Sequence, residues 1–212
     1  MKISADCPLC PRLAAFREQN RALYPGWHNA PVPSFGAMNA SLLIVGLAPG
    51  LKGANRTGRP FTGDFAGDLL YETLLDFDFA KGEYAKCAED GLQICNARIS
   101  NAAHCVPPQN KPLPEEVRNC NIYLKQELQE MSKLKVILAL GSIAHHAILM
   151  AFGLKRAHYK FSHGSSHILP VRDLILFDSY HCSRYNTQTH RLTRQMFRNV
   201  FEQIKQQIST NR

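Results

Sequence analysis

No apolar run in this chain approaches the roughly 20 residues that a membrane-spanning helix needs. The N-terminal stretch MKISADCPLC lacks the apolar core of a secretory signal. The expectation is therefore a cytoplasmic protein with no membrane partner. Internal repeats and low-complexity linkers are also missing, which leaves the 212 residues to be read as one domain, 1–212, long enough to bury a substantial core. Neither G-x-x-x-x-G-K-[ST] nor G-x-G-x-x-G occurs, so a nucleotide-binding α/β enzyme ranks last among the readings. Acidic residues are the minority sign: 17 Asp and Glu against 25 Lys and Arg give a formal charge of +8. Such an excess suits a polyanionic partner, because Lys and Arg gain from counterion release on nucleic acid.

What is present is most informative between Ser41 and Leu70. The apolar run SLLIVGL passes into APGLKGANRTGRPFTGD and then into the helical pattern FAGDLLYETLLDF. A buried strand that delivers a Gly-rich, Arg/Lys/Asn-bearing loop to a helix N-terminus is how an open α/β sheet builds a pocket for an anionic group. Three further runs read as buried strands: Leu92 to Ile99, Lys135 to Leu140 and Asp173 to Ser179. All four are continuous rather than alternating, which suits a parallel sheet covered on both faces.

Helical patterns separate the strands, through Phe65 to Phe77, Val117 to Met131 and Ile143 to Phe152. A last helix carries Leu192, Met196, Phe197, Phe201, Ile204 and Ile208 at core-facing spacing. The expected fold class is α/β, a three-layer α/β/α sandwich with a central, mainly parallel four-stranded sheet. Ligands sit outside the carboxyl ends of such strands. Three polar segments follow them and should converge: APGLKGANRTGRPFTGD, SNAAH and YHCSRYNTQT. The third strand ends in Gly141-Ser142, where Ser142 reads as an N-cap.

Seven cysteines are an odd count, and in a reducing compartment they are more often metal ligands or core residues than a disulfide framework. Cys7 and Cys10 form a C-x2-C pair, while Cys105 and Cys120 flank a Pro-rich loop. Spacing alone leaves three readings open: an iron–sulfur cluster, zinc, or four unconnected thiols. Cys95 reads as core, and Cys87 falls in a loop without a partner at ligand spacing.

GLAPGLKGANRTGRPFTGD, ISNAAHCVPP and SYHCSRYNTQTHRLT resemble the three active-site segments of the type-5 uracil-DNA glycosylases, and CPLCPRL is similar to that family's first pair of cluster ligands. The resemblance runs from about Cys7 to Thr193. It implies a monofunctional glycosylase that acts as a monomer on uracil-containing DNA, double- or single-stranded. The enzyme flips and excises uracil, with hypoxanthine or xanthine as further candidates, and leaves an abasic site for base-excision repair.

It also implies a structural [4Fe-4S] cluster on Cys7, Cys10, Cys105 and Cys120. Asp64, Asn101 and His181 match the catalytic positions, Phe61 the aromatic that stacks on the flipped base, and Asn186 a polar position in the last loop. Gly46, Ala48 and Gly50 offer backbone amides to the base, Ser183 joins the substrate-binding set, and Lys52, Arg56 and Arg59 are candidate phosphate clamps. The chain departs from the family pattern at Cys182, where Pro is usual, at His190, where Gly is common, and at Gly50, where Ala is frequent. Proline stiffens a loop, so Cys182 is expected to loosen this one without removing His181.

Taken singly, each residue has a plainer reading. Asp64 precedes a helix and reads as an N-cap; Asn101 reads as a turn residue, His181 as a loop histidine and Phe61 as core. At least one of His145 and His146 reads as packed or solvent-facing rather than metal-bound. Arg191, Arg194 and Arg198 are either a solvated helix face or DNA contacts. The rival function is a catalytically weak or inactive iron–sulfur nucleic-acid-binding protein of the same fold.

Overall fold

The computed structural model describes residues 3–210; residues 1–2 and 211–212, the ends of the expected 1–212 domain, lie outside the described residues. Its strands are β1 (Phe35–Gly36), β2 (Leu42–Gly46), β3 (Ala80–Lys81), β4 (Gln93–Ile94), β5 (Ala97–Asn101), β6 (Val136–Leu140), β7 (Ser166–Ile168) and β8 (Ile175–Ser179). Its α-helices are α1 (Pro11–Leu23), α2 (Ala54–Thr57), α3 (Phe65–Asp76), α4 (Pro114–Glu130), α5 (Ser142–Ala151), α6 (Arg184–Gln188) and α7 (Arg194–Thr210).

Four parallel strands form the centre in the order β5-β2-β6-β8. Three of them, β2, β6 and β8, are expected apolar runs, because a strand covered on both faces has no polar side. Leu42 and Ile44 of β2 join the cluster that includes Leu70, Leu74, Phe197 and Phe201 from α3 and α7. Leu43 and Val45 join the opposite cluster with Leu124, Leu128, Ile148 and Leu149 from α4 and α5. Alternation along the strand therefore feeds two apolar layers, and each fully buried Leu, Ile or Phe contributes about 1.5–3 kcal/mol.

The sheet has six strands rather than the four expected, since β1 pairs antiparallel with β5 and β7 antiparallel with β8. Edge strands of two and three residues are too short to carry a period, yet they cap the exposed rims of the parallel core. The expected strand from Leu92 to Ile99 divides. Gln93–Ile94 pairs with β3 in a separate ribbon, and the chain then turns at Asn96, whose φ is +50°, before β5 begins. Asparagine tolerates this left-handed conformation better than most residues, and the Asn96 side chain accepts a hydrogen bond from the Ser41 backbone N–H at 2.9 Å. Cys95, expected in the core, is only partly buried beside that turn.

Two helix starts also differ from expectation. The N-cap of α5 is Gly141, at φ +96°, and Ser142 is already helical; a glycine permits this tight turn out of β6. The segment after β8 forms the short helix α6, capped by Ser183, whose Oγ accepts from the Asn186 backbone N–H at 3.5 Å.

Candidate active site

The parallel register sets Asn101, the last residue of β5, beside Gly46, the last of β2. A Cβ on Gly46 would fall 2.5 Å from Asn101 Oδ1 and 2.5 Å from Phe61 Cζ, so the glycine is what lets these side chains approach the strand end. Asn101 Oδ1 is buried and has no partner among the described residues. Phe61 is only 6% exposed, and its ring lies 5.8 Å from that of His181 at an interplanar angle of 27°. Thus all three expected segments meet, one from each of β2, β5 and β8.

Asp64 is both the N-cap and a site residue. Its Oδ1 accepts from the Gly67 N–H at 3.1 Å, while Oδ2 faces the glycine loop, 3.2 Å from where a Cβ on Gly50 would lie and 2.6 Å for Gly53. Burial pushes the Asp64 carboxyl above its usual range, opposed by the backbone N–H groups of Gly67 and Ala66. Asp64 opens onto a cleft of ≈ 660 Å³ with Gly50, Lys52, Gly53, Phe65 and Arg184 on its walls. Burial drives the His181 imidazole down to about 4, so it is neutral at physiological pH.

The loop that carries Phe61 is held by residues that sequence reading missed. Phe61 has φ +55°, a conformation that a bulky residue keeps only where its surroundings over-determine it. Tyr84 Oη donates to the Phe61 carbonyl at 3.2 Å and accepts from the Gly63 N–H at 3.3 Å, and Tyr71 Oη donates to the Pro60 carbonyl at 2.5 Å. A Cβ on Gly67 would lie 1.7 Å from the Phe61 carbonyl oxygen. That glycine inside an otherwise helical pattern was the one available signal for the close approach.

Arg59 is corrected from phosphate clamp to structural anchor. It is buried, bonded to both carboxylate oxygens of Asp90 at 2.7 Å, and stacked near Phe35, Tyr71 and Tyr84. Arg59 holds the Asp90 carboxyl down at about 2, and no charge is left over for a phosphate. Asn186 is likewise turned inward: its Nδ2 donates to the His181 carbonyl at 2.8 Å and so sets the loop that presents the imidazole. Ser183 acts as the cap of α6 described above. Ala48 lies in the loop between β2 and α2, half-buried.

On α7, Arg194 is paired with Glu72 and Arg198 with Asp76, while Arg191 sits over the Tyr180 ring at 4.5 Å. The cations at the cleft itself are Lys52, Arg184 and Lys86, the last bonded to Asp68 at 2.8 Å. Arg56 Nε donates to the Lys52 carbonyl at 3.0 Å.

Of the departures from the family pattern, Cys182 is fully buried in the apolar cluster of α3 and α7, and burial pushes its thiol up. His190 has φ +57°, the backbone conformation in which a glycine carries no Cβ penalty.

Cys7, Cys10, Cys105 and Cys120 line one small cavity with Leu13 and Tyr123. Each sulfur has an N–H or O–H group at hand. Tyr123 Oη lies 3.7 Å from Cys7, Asn119 Nδ2 3.9 Å from Cys10, Arg17 Nη1 4.0 Å from Cys105, and the His104 backbone N 3.3 Å from Cys120. Burial raises the Cys105 thiol to about 11 and that of Cys120 to about 12. Among the described residues the group whose ligand atoms all fall within 4.8 Å is His145, His167 and Asp178, not the cysteines. That group is an internal hydrogen-bond network: His145 Nδ1 is 2.7 Å from Asp178 Oδ1, and Nε2 is 2.9 Å from the Tyr159 carbonyl. His145 is thus a packed histidine.

Residues 33–205 match the family model described as the uracil DNA glycosylase superfamily. The chain is 44% identical over 205 residues to a protein of Thermus thermophilus named type-5 uracil-DNA glycosylase, covering 94% of this chain and 92% of that one. A second protein of that name, from Pyrobaculum aerophilum, is 36% identical over 192 residues, covering 89% and 83%. A type-4 uracil-DNA glycosylase of Archaeoglobus fulgidus is 36% identical over 125 residues, covering 58% and 55%.

Proposed function

Since the chain belongs to the uracil DNA glycosylase superfamily, we propose that it hydrolyses the N-glycosyl bond of uracil in DNA and leaves an abasic site for base-excision repair. The observation that carries this reading is Asn101 Oδ1, a buried acceptor without a partner beside Gly46 and Phe61. A buried polar atom of that kind is costly unless a ligand completes it, and uracil presents an N–H at its edge that an amide oxygen can accept.

A base inside a duplex is out of reach, so the nucleotide is extruded at a cost of a few kcal/mol. Stacking on Phe61 returns about 1–3 kcal/mol of this. As the bond stretches, positive charge grows on the sugar and negative charge on the base. Asp64 Oδ2, free of the cap, stabilises the first or orients water toward it. The neutral His181 imidazole donates a hydrogen bond to the second. Lys52 and Arg184 at the cleft are the cations placed for flanking phosphates.

The same reading assigns a [4Fe-4S] cluster to Cys7, Cys10, Cys105 and Cys120. Its supports are the shared cavity and one N–H or O–H group beside each sulfur. When bound, the cluster supplies a covalent staple between the segment before α1, the end of β5 and α4. The proposal further includes one domain, 1–212, action as a monomer and a cytoplasmic setting, where the cysteines, all unpaired, stay reduced. No described helix is long and apolar enough to cross a membrane.

A non-catalytic reading is not favoured, because Asp64, Asn101 and His181 are all retained and Cys182 is buried without displacing the imidazole. The deciding experiment offers duplexes with uracil, hypoxanthine or thymine opposite guanine and then cleaves abasic sites with alkali. Strand breakage at uracil is expected, and binding without breakage on every duplex refutes the enzyme. The hypoxanthine duplex reads out whether the substrate range extends to other deaminated bases.

A further inference from the structure

Arg17 of α1 is 4% exposed and turned toward the cysteine cavity. Its Nη1 and Nη2 donate to the Cys7 carbonyl at 3.3 Å, and Nη1 lies 4.0 Å from Cys105 Sγ. Nε has no hydrogen-bond partner among the described residues. The carboxylate beside it, Glu18, keeps 3.8 Å away, is 60% exposed, and is bonded to Arg21 at 2.9 Å. A buried guanidinium held by one carbonyl and a distant, solvated carboxylate is poorly compensated. A centre of four thiolates would leave this cavity net negative, and Arg17 is the buried cation beside it. His104, which lines the same cavity, also has an unpartnered buried atom, Nε2. Two of the four such atoms among the described residues therefore flank the cysteines.

Resting on the cluster reading above, we infer that Arg17 is the internal counter-charge of the metal–thiolate centre, a residue that holds the cluster rather than the empty fold. The two roles predict opposite signs. A structural arginine, once replaced, weakens the protein with or without metal. A counter-charge, once replaced by an apolar residue, weakens only the loaded protein and relieves the stripped one of an unpaired buried charge.

The test purifies the wild-type chain, Arg17→Met and Arg17→Lys without oxygen and measures iron per chain. It then follows the decay of visible iron–thiolate absorbance under a chelator and melts each protein after stripping. Arg17→Met is expected to lose its cluster about 10–100-fold faster, the range typical of partners that support metal ligands. Stripped, it should melt no lower than the stripped wild type. Arg17→Lys, which keeps the charge and loses the fork, should stay close to wild type in retention. If Arg17→Met does not accumulate, Arg17→Lys decides the matter, since retention by Arg17→Lys as poor as in a Cys105→Ser control overturns the inference. So does an Arg17→Met protein that keeps its iron as long as wild type, or one that melts lower when stripped. A wild-type chain that binds no iron withdraws the cluster and Arg17's role together, whereas bound iron indifferent to Arg17 withdraws only the inference.

Discussion

The end of β5 serves two regions that contrast with each other. Asn101 lies beside Gly46 at the proposed base pocket, and four residues later Cys105 lines the cysteine cavity. Both regions contain buried polar atoms without partners. In the base pocket the atom is a neutral amide oxygen. At the cysteines one of them belongs to a guanidinium. The difference is what transient and resident ligands require: a neutral orphan is tolerable while the pocket is empty, but a buried charge needs a partner that stays. On the proposed function one region serves chemistry and the other architecture, and substitutions should separate them.

The sharpest separation uses Asp64. Asn caps a helix as well as Asp does, so Asp64→Asn should leave the melting temperature almost unchanged while the rate of abasic-site formation falls about 10²–10⁴-fold. Near-wild-type turnover would remove Asp64 from the mechanism, and a large drop in melting temperature would mean that the cap was the main role. Next in size is Arg59→Met. It takes the guanidinium from Asp90, which keeps only the Ala85 and Leu92 backbone N–H groups, and breaking a buried pair costs up to about 3–5 kcal/mol. Denaturant unfolding should show that loss while iron content stays intact, because this anchor belongs to the pocket side; a weakened response to salt in DNA binding, without instability, would restore Arg59 as a phosphate contact.

Tyr84→Phe removes the hydroxyl that holds the Phe61 carbonyl. It should cost about 0.5–1.5 kcal/mol in stability and lower kcat more than it raises KM, since the loop that positions the base is loosened. Unchanged kinetics would show that Tyr71 and Gly67 suffice to hold the turn.

The last separation is confined to acid pH. Burial lowers His181 from 6.5 to about 4, so the unfolded chain takes up the proton first and stability is lost as pH falls from about 6.5 through about 4. Melting curves of His181→Gln should be flatter than wild type across that window. The rate should fall on the acid side as Asp64 is protonated, at a pH above the ordinary carboxylate value of 3.8.

Much of this was readable from residues in order. Three of the four parallel strands showed as continuous apolar runs because a doubly covered strand has no polar face, whereas the run from Leu92 to Ile99 splits between β4 and β5. Asp64, Asn101, Phe61 and His181 lie at or in the segments that follow the parallel strands' carboxyl ends, where topology obliges loops to meet. The pairing of charges was not readable. Arg59 read as a phosphate clamp, and the α7 arginines stood open between a solvated helix face and DNA contacts, because their partners lie far away in the chain: Asp90 for Arg59, and Glu72 and Asp76 on α3 for Arg194 and Arg198. Asn186 read as a substrate contact because nothing local shows that its amide turns back onto the His181 carbonyl.

By itself, then, the sequence determined the layer architecture and which polar loops follow the parallel strands, since hydrophobic periodicity and strand-end segments are local properties of the chain, while the candidate site residues came from the resemblance of three such segments to one family. Only the tertiary structure decided which charges are spare and which are neutralised, why Gly46 must lack a side chain, how Phe61 is held in a left-handed turn, and that Arg17 faces the cysteines. Those depend on atoms brought within a few ångströms across long stretches of sequence, and pairing and desolvation are settled by that proximity rather than by residue type.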